Sequence, residues 1–187
     1  MTIELSRSDL REVARYAVTC ARTALPVFER ARPDDPRPRA AIDSSQAFVD
    51  GAERTKALRD SAWAAYRAAR DTDDAAATEA ARAAGHTVGA AFLHPLAKAT
   101  QVKHILGSAA CAARALELAA DDDRAVGLKH LAKLARMAKP SVRTVLRRYP
   151  LAPPGGGRVG ELIRELDASL RSMKVPARKP ARKRTRS

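Results

Sequence analysis

The sequence predicts an all-α fold: a single compact bundle of about seven or eight helices followed by a disordered basic C-terminal tail. Three observations lead there. Aromatic residues make up only 4% of the 187-residue chain and alanine is its commonest residue. Apolar positions recur every three or four residues along most of its length, the spacing of amphipathic helices that pack closely. The length suffices for one domain with a real core. That domain is expected over residues 1–173 and the tail over residues 174–187.

In the first helix, Ser8 is placed to cap an apolar face of Leu10, Val13, Ala14, Ala17, Ala21 and Ala24. The helix continues to Phe28 past an expected kink at Pro26 and ends near Arg32, with Pro33 as its stop. The segment FERARPDDPRPRAAI then sets Asp34 and Asp35 between prolines and arginines. Paired carboxylates can serve general acid/base chemistry, but no histidine, serine or cysteine nucleophile lies nearby in sequence. Pro33, Asp34, Asp35 and Pro36 therefore read as a structural corner, with Asp35 as N-cap and Pro36 in the first turn of a second helix. That helix is expected over residues 36–49, ending at Gly51.

A third helix is expected over residues 53–70, with Leu58, Ala62, Ala65, Tyr66 and Ala69 as its core stripe. Its other face carries Lys56, Arg59, Trp63, Arg67 and Arg70. Arginines around an aromatic residue suit a protein interface, which makes Arg59, Trp63, Arg67 and Arg70 candidate partner-binding residues. The pattern equally allows Trp63 to pack beneath a neighbouring helix. Asp73 and Asp74 cap a fourth helix over residues 75–93, and Pro95 starts or kinks a fifth that runs to residue 119. Gly85, Gly89, Gly107, Ser108 and many alanines let these two approach closely, as in the buried hairpin of a bundle.

After Asp121–Asp123, a basic helix over residues 124–138 sets Lys129, Lys133 and Arg136 opposite Leu128, Leu131, Ala132 and Ala135. Pro140 opens a short continuation to Arg148. The segment PLAPPGGGR links it to a last helix with Val159, Leu162, Ile163, Leu166 and Leu170 inside. The glycine run lacks the GK[ST] ending of a phosphate loop.

Charge divides the chain unevenly. Residues 1–123 hold 17 Lys+Arg against 18 Asp+Glu, a balance of −1, whereas residues 124–187 hold 18 against 3, a balance of +15. The tail has seven basic residues and no acidic ones, and too little apolar surface to offset its ordering entropy. Lys129, Lys133, Arg136, Arg182, Lys183 and Arg184 are candidate contacts for nucleic acid or an acidic partner. No transmembrane segment and no signal-peptide core is evident, so a cytoplasmic location is expected. Cys20 and Cys111 stand alone in apolar patterns and read as buried thiols. His86, His94 and His104 lack metal-ligand spacing and read as core or interhelical hydrogen-bonding residues. No cofactor, metal or catalytic residue is predicted, and the sequence leaves the oligomeric state open.

Three stretches carry a resemblance: LPVFERARPDDPRPRAAI, AAYRAAR at residues 64–70, and ARAAGHTVGAAFLHPLAKATQVKHILGSAACAARALEL at residues 81–118. Together they resemble a family of bacterial helical immunity proteins, the Imm-five-like group. The resemblance covers roughly residues 10–118 and leaves residues 124–173 as a basic helical extension. It implies an interaction protein, not an enzyme, whose partner is the cognate toxin of a polymorphic-toxin system. A nucleic-acid-binding protein using the basic C-terminal helix and tail is the alternative that composition supports.

Overall fold

The computed structural model of the protein describes residues 2–174. Among these residues the chain forms α1 (Arg7–Ala31), α2 (Arg37–Val49), α3 (Lys56–Arg70), α4 (Ala75–Ala91), a 3-10 turn (Ala99–Gln101), α5 (Val102–Leu118), α6 (Arg124–Met137), α7 (Pro140–Leu146) and α8 (Gly157–Ser172). The all-α class is as the sequence predicts. An isolated antiparallel bridge between Thr2 and Leu96 is the extended pairing the described residues contain.

Side-chain caps fix four of the eight α-helix starts among the described residues. Ser6, not the expected Ser8, caps α1: its hydroxyl accepts the Asp9 N–H while Asp9 returns a bond to the Ser6 N–H, each at 3.0 Å. That reciprocal box needs an acceptor three residues on, and Ser8 would find Arg11 there. Thr55 caps α3, moving its start from residue 53 to Lys56, while Asp74 and Asp123 cap α4 and α6. Pro26 stays within α1, and both it and Arg22, the residue whose carbonyl loses its helical partner, are at exposed positions. The fifth helix does not start at Pro95. The Pro95 carbonyl accepts the Ile3 N–H at 2.9 Å and holds the chain out of helix, so α5 begins at Val102.

α1, α4 and α5 pack against one another at the centre, with α2 and α3 on one flank of α4, and α6 and α8 against α5. Thirteen of the seventeen residues of α4 are buried, nine of them alanine or glycine, so its backbone lies close to its neighbours on several sides. The buried Ser108 hydroxyl lies 2.8 Å from the Ala17 carbonyl and 3.0 Å from the Ala83 carbonyl, joining α5 to α1 and α4. In α6 the inward stripe is Gly127, Leu131, Leu134 and Ala135, whereas Leu128 and Ala132 are exposed. The helix is rotated from the expected register because Gly127 faces the buried Glu117, and a Cβ there would collide with that side chain.

Candidate functional site

α3 presents its outer face as the third-helix spacing implies. Its buried residues are Leu58, Ala65, Ala68 and Ala69. Arg59, Trp63, Arg67 and Arg70 are all exposed, Trp63 at 61%. An indole left this far in solvent is not packed beneath a neighbour. Arg59 lies over the Phe92 ring at 4.9 Å from its centroid, with Arg54 at 5.7 Å, so part of the cationic rim is held by an aromatic platform. Lys56 is engaged by Asp60 at 2.6 Å. Arg67 and Arg70 form no ion pair among the described residues.

Trp63 leads inward through a ladder of rings. It stands edge-on to Tyr66 with centroids 6.4 Å apart, and Tyr66 stands edge-on to His86 at 5.8 Å. Two glycines make room for the ladder: a Cβ on Gly85 would lie 2.7 Å from the Tyr66 ring, and one on Gly107 would lie 2.9 Å from His86 Nδ1. Burial lowers the His86 pKa to about 3, helped by the charges of Lys103, His104 and Arg82, so the ring is neutral near pH 7. Burial raises the Tyr66 phenol. The inner ladder is an uncharged wedge between α3, α4 and α5.

Behind it opens a cavity of about 500 Å³ lined by Glu79, Arg82 and His86 of α4, Lys103, Cys111 and Arg114 of α5, and Gly156, Arg158 and Val159 at the start of α8. Glu79 is buried. One oxygen accepts from Arg82 Nη1 at 2.5 Å, and the other is buried without a hydrogen-bond donor. Burial, then the negative charge of Glu79, raises the Cys111 pKa and keeps it a thiol. Glu117, fully buried, accepts from Arg158 Nη2 at 2.5 Å and Nε at 3.1 Å, and from Arg114 Nη1 at 3.0 Å. Sequence reasoning missed this cluster because its members lie on three elements. The legible signal was the pair Glu79 and Arg82, the only formal charges within α4.

The PDDPRPR corner is a clasp. Asp35 does not occupy the N-cap of α2, which falls on Pro36 and has no side-chain cap. Its carboxylate instead accepts the Arg37 N–H at 3.1 Å and the Arg37 guanidinium at 2.6 and 2.8 Å. The same guanidinium reaches Asp71 at 2.7 Å, and Arg32 donates to the Asp71 carbonyl at 2.8 Å. Pro33 and Asp34 are exposed beside it. The clasp thus joins the α1–α2 turn to the end of α3. On α6, Lys129, Lys133 and Arg136 are exposed, while Arg182, Lys183, Arg184 and the expected tail from residue 175 lie outside the described residues. His94 is exposed, and His130 bonds Thr23 Oγ1 across α1 and α6 at 2.9 Å. Among the described residues no three His, Cys, Asp or Glu side chains converge to hold a metal, and no helix is long and apolar enough to cross a membrane.

Residues 4–139 match the family model described as "Imm-5 like putative immunity protein". The chain belongs to this family. The match spans α1 to α6 and includes Trp63, its ring ladder and most of the cavity wall, but ends before α7 and α8. Compared with curated proteins and with solved structures, the chain matches none.

Proposed function

We propose that this member of the immunity family protects its cell by binding a cognate toxin with the outer face of α3, without chemistry of its own. The observation that carries the reading is Trp63, 61% exposed beside Arg67 and Arg70, which have no ion pair among the described residues. An indole on a rigid helix loses little conformational entropy on docking, and unpaired arginines orient an acidic surface and speed its encounter. Family membership supplies the class of partner.

Trp63 is the chain's one tryptophan, so its fluorescence reports docking directly. Addition of a cognate toxin should shift that emission. Trp63→Ala should weaken binding by roughly tenfold to a hundredfold and reduce protection in co-expression, leaving the fold intact. Full protection by a Trp63→Ala, Arg67→Ser, Arg70→Ser triple variant would rule out this face.

A second reading draws on α6, where Lys129, Lys133 and Arg136 are exposed at helical spacing. Together with the basic residues beyond it, such a row could neutralise phosphates of a nucleic acid. Affinity for random duplex DNA would then fall steeply with salt, and replacing each lysine with glutamine would lower the slope of log affinity against log salt by about one. Negligible binding at low salt would remove this reading.

A further inference from the structure

We propose that the cavity between α4, α5 and the start of α8 is a binding site for a small phosphomonoester, separate from the α3 face. Four cations line it, Arg82, Lys103, Arg114 and Arg158, against a single lining carboxylate, Glu79. Glu117 lies behind the wall and balances one further charge through its bonds to Arg114 and Arg158. The outer edges of those arginines also pair with Asp122 and Glu161, and Arg124 shares Glu161 at 3.9 Å. Counted with these partners, five cations meet four carboxylates, and the one in excess is Lys103, a lining cation without an ion pair among the described residues.

The donors are also unspent. Arg82 uses only Nη1, on Glu79. Arg114 uses only Nη1, on Glu117 and Asp122. Lys103 is exposed and makes no ion pair among the described residues. Arg82 of α4 and Lys103 and Arg114 of α5 thus line one cavity with donors to spare, and planar arginine forks with a mobile lysine suit a tetrahedral oxyanion. Arg158 differs: Nε and both Nη atoms are committed to Glu117 and Glu161, so it contributes field more than contacts. A cavity of about 500 Å³ has room for more than a bare phosphate and is of the size that holds small organic ligands. The neutral His86 ring, with Tyr66 beyond it, closes one side without adding charge.

The test uses the full chain, with inorganic phosphate, adenosine 5′-monophosphate and unphosphorylated adenosine as probes, followed by calorimetry and thermal shift at low salt. Saturable binding of phosphate and the nucleotide in competition, without binding of adenosine, is expected. Arg82→Gln and Lys103→Gln, both at solvent-reaching positions, should each weaken binding by about tenfold, the worth of one charge-assisted hydrogen bond. Glu79→Gln should tighten it, because removing the wall carboxylate enlarges the positive surplus. This opposite sign separates a binding role from general damage to the wall, and Trp63→Ala should leave phosphate binding unchanged whether or not the α3 face binds toxin. No saturable binding up to about 10 mM overturns the proposal. So does binding that survives the Arg82→Gln, Lys103→Gln double variant. Capture of an aspartate-rich peptide without phosphate binding would assign the cations to a protein carboxylate and equally overturn it.

Discussion

The α4–α5 hairpin and the α7–α8 segment cover the same core with different materials. In the hairpin the buried positions are mostly alanine, with Gly85 and Gly107 admitting the Tyr66 and His86 rings. In α7 and α8 they are larger: Val142, Val145, Leu146, Leu162, Ile163, Leu166 and Leu170. Small side chains bring backbones close and leave little room for change, whereas large ones fill a wider gap and contribute their own buried area. Polar anchors differ as well. The hairpin uses hydroxyls, Ser108 to two carbonyls and Ser45 to Thr87 at 2.8 Å, while α8 is fixed by charge, Arg158 to Glu117 and Arg171 to Asp167 at 2.7 Å. The family match includes the first region and stops at residue 139, short of the second. The helices whose close contact shapes the ring ladder and most of the cavity wall thus lie within the matched residues, and α8 closes the cavity from outside them.

The contrast can be broken from either side. Leu166→Ala in α8, where the side chain is fully buried, should cost about 3 kcal/mol, through lost transfer free energy and the void left behind. Urea unfolding should show a lower midpoint at unchanged slope, and no change would mean that α8 does not share the core. In the hairpin the damaging change is the opposite one. Ala110→Leu, also at a fully buried site, should cost about 2 kcal/mol by overpacking, whereas the same exchange in an adaptable leucine-lined region would be milder. A stable Ala110→Leu protein would show that the hairpin is looser than its alanines imply.

The fold was legible where periodicity and caps agree: Asp74 and Asp123 mark their helices, and the α3 stripe places Trp63 outward. Three features were not. The rotation of α6 depends on Gly127 meeting Glu117, ten residues earlier and on another helix. The start of α5 depends on an N-terminal segment pairing with Pro95. The cavity depends on Arg82, Lys103 and Arg158 arriving from separate elements, and local spacing carries no trace of that meeting. Sequence periodicity reports which face is apolar, not what stands opposite it.

The ring ladder supplies a pH test of the hairpin. His86 titrates near 3 in the folded protein and near 6.5 when unfolded, so below pH 6.5 the unfolded chain takes up a proton that the folded ring does not. Stability from this group is complete above that pH and declines as pH falls toward 3. At pH 5.5 the loss relative to pH 8 should be about 1.4 kcal/mol. His104 and His130, also lowered mainly by burial, add to the slope in the same direction. Comparison with His86→Asn isolates the ladder's share: the variant should show a flatter decline, and identical pH profiles would place the ring in a solvated setting.

The smallest effect distinguishes the two carboxylates of the corner. Asp35 is partly buried and holds both the Arg37 N–H and its guanidinium, while Asp34 is exposed beside it. Asp35→Ala should cost about 1 kcal/mol, comparable to loss of a cap, because Arg37 keeps Asp71 as a second partner. Asp34→Ala should cost almost nothing. The Arg37 hydrogen bond lowers the Asp35 pKa, so its contribution is complete above the ordinary carboxylate pKa and is lost as acid protonates it in the fold. The difference in melting temperature between wild type and Asp35→Ala should therefore narrow on acidification. Since the clasp lies at the end of α3 rather than on its outer face, toxin binding should survive both changes. An undiminished melting temperature with lost binding in Asp35→Ala would instead make the corner part of the interface and displace Trp63 as its centre.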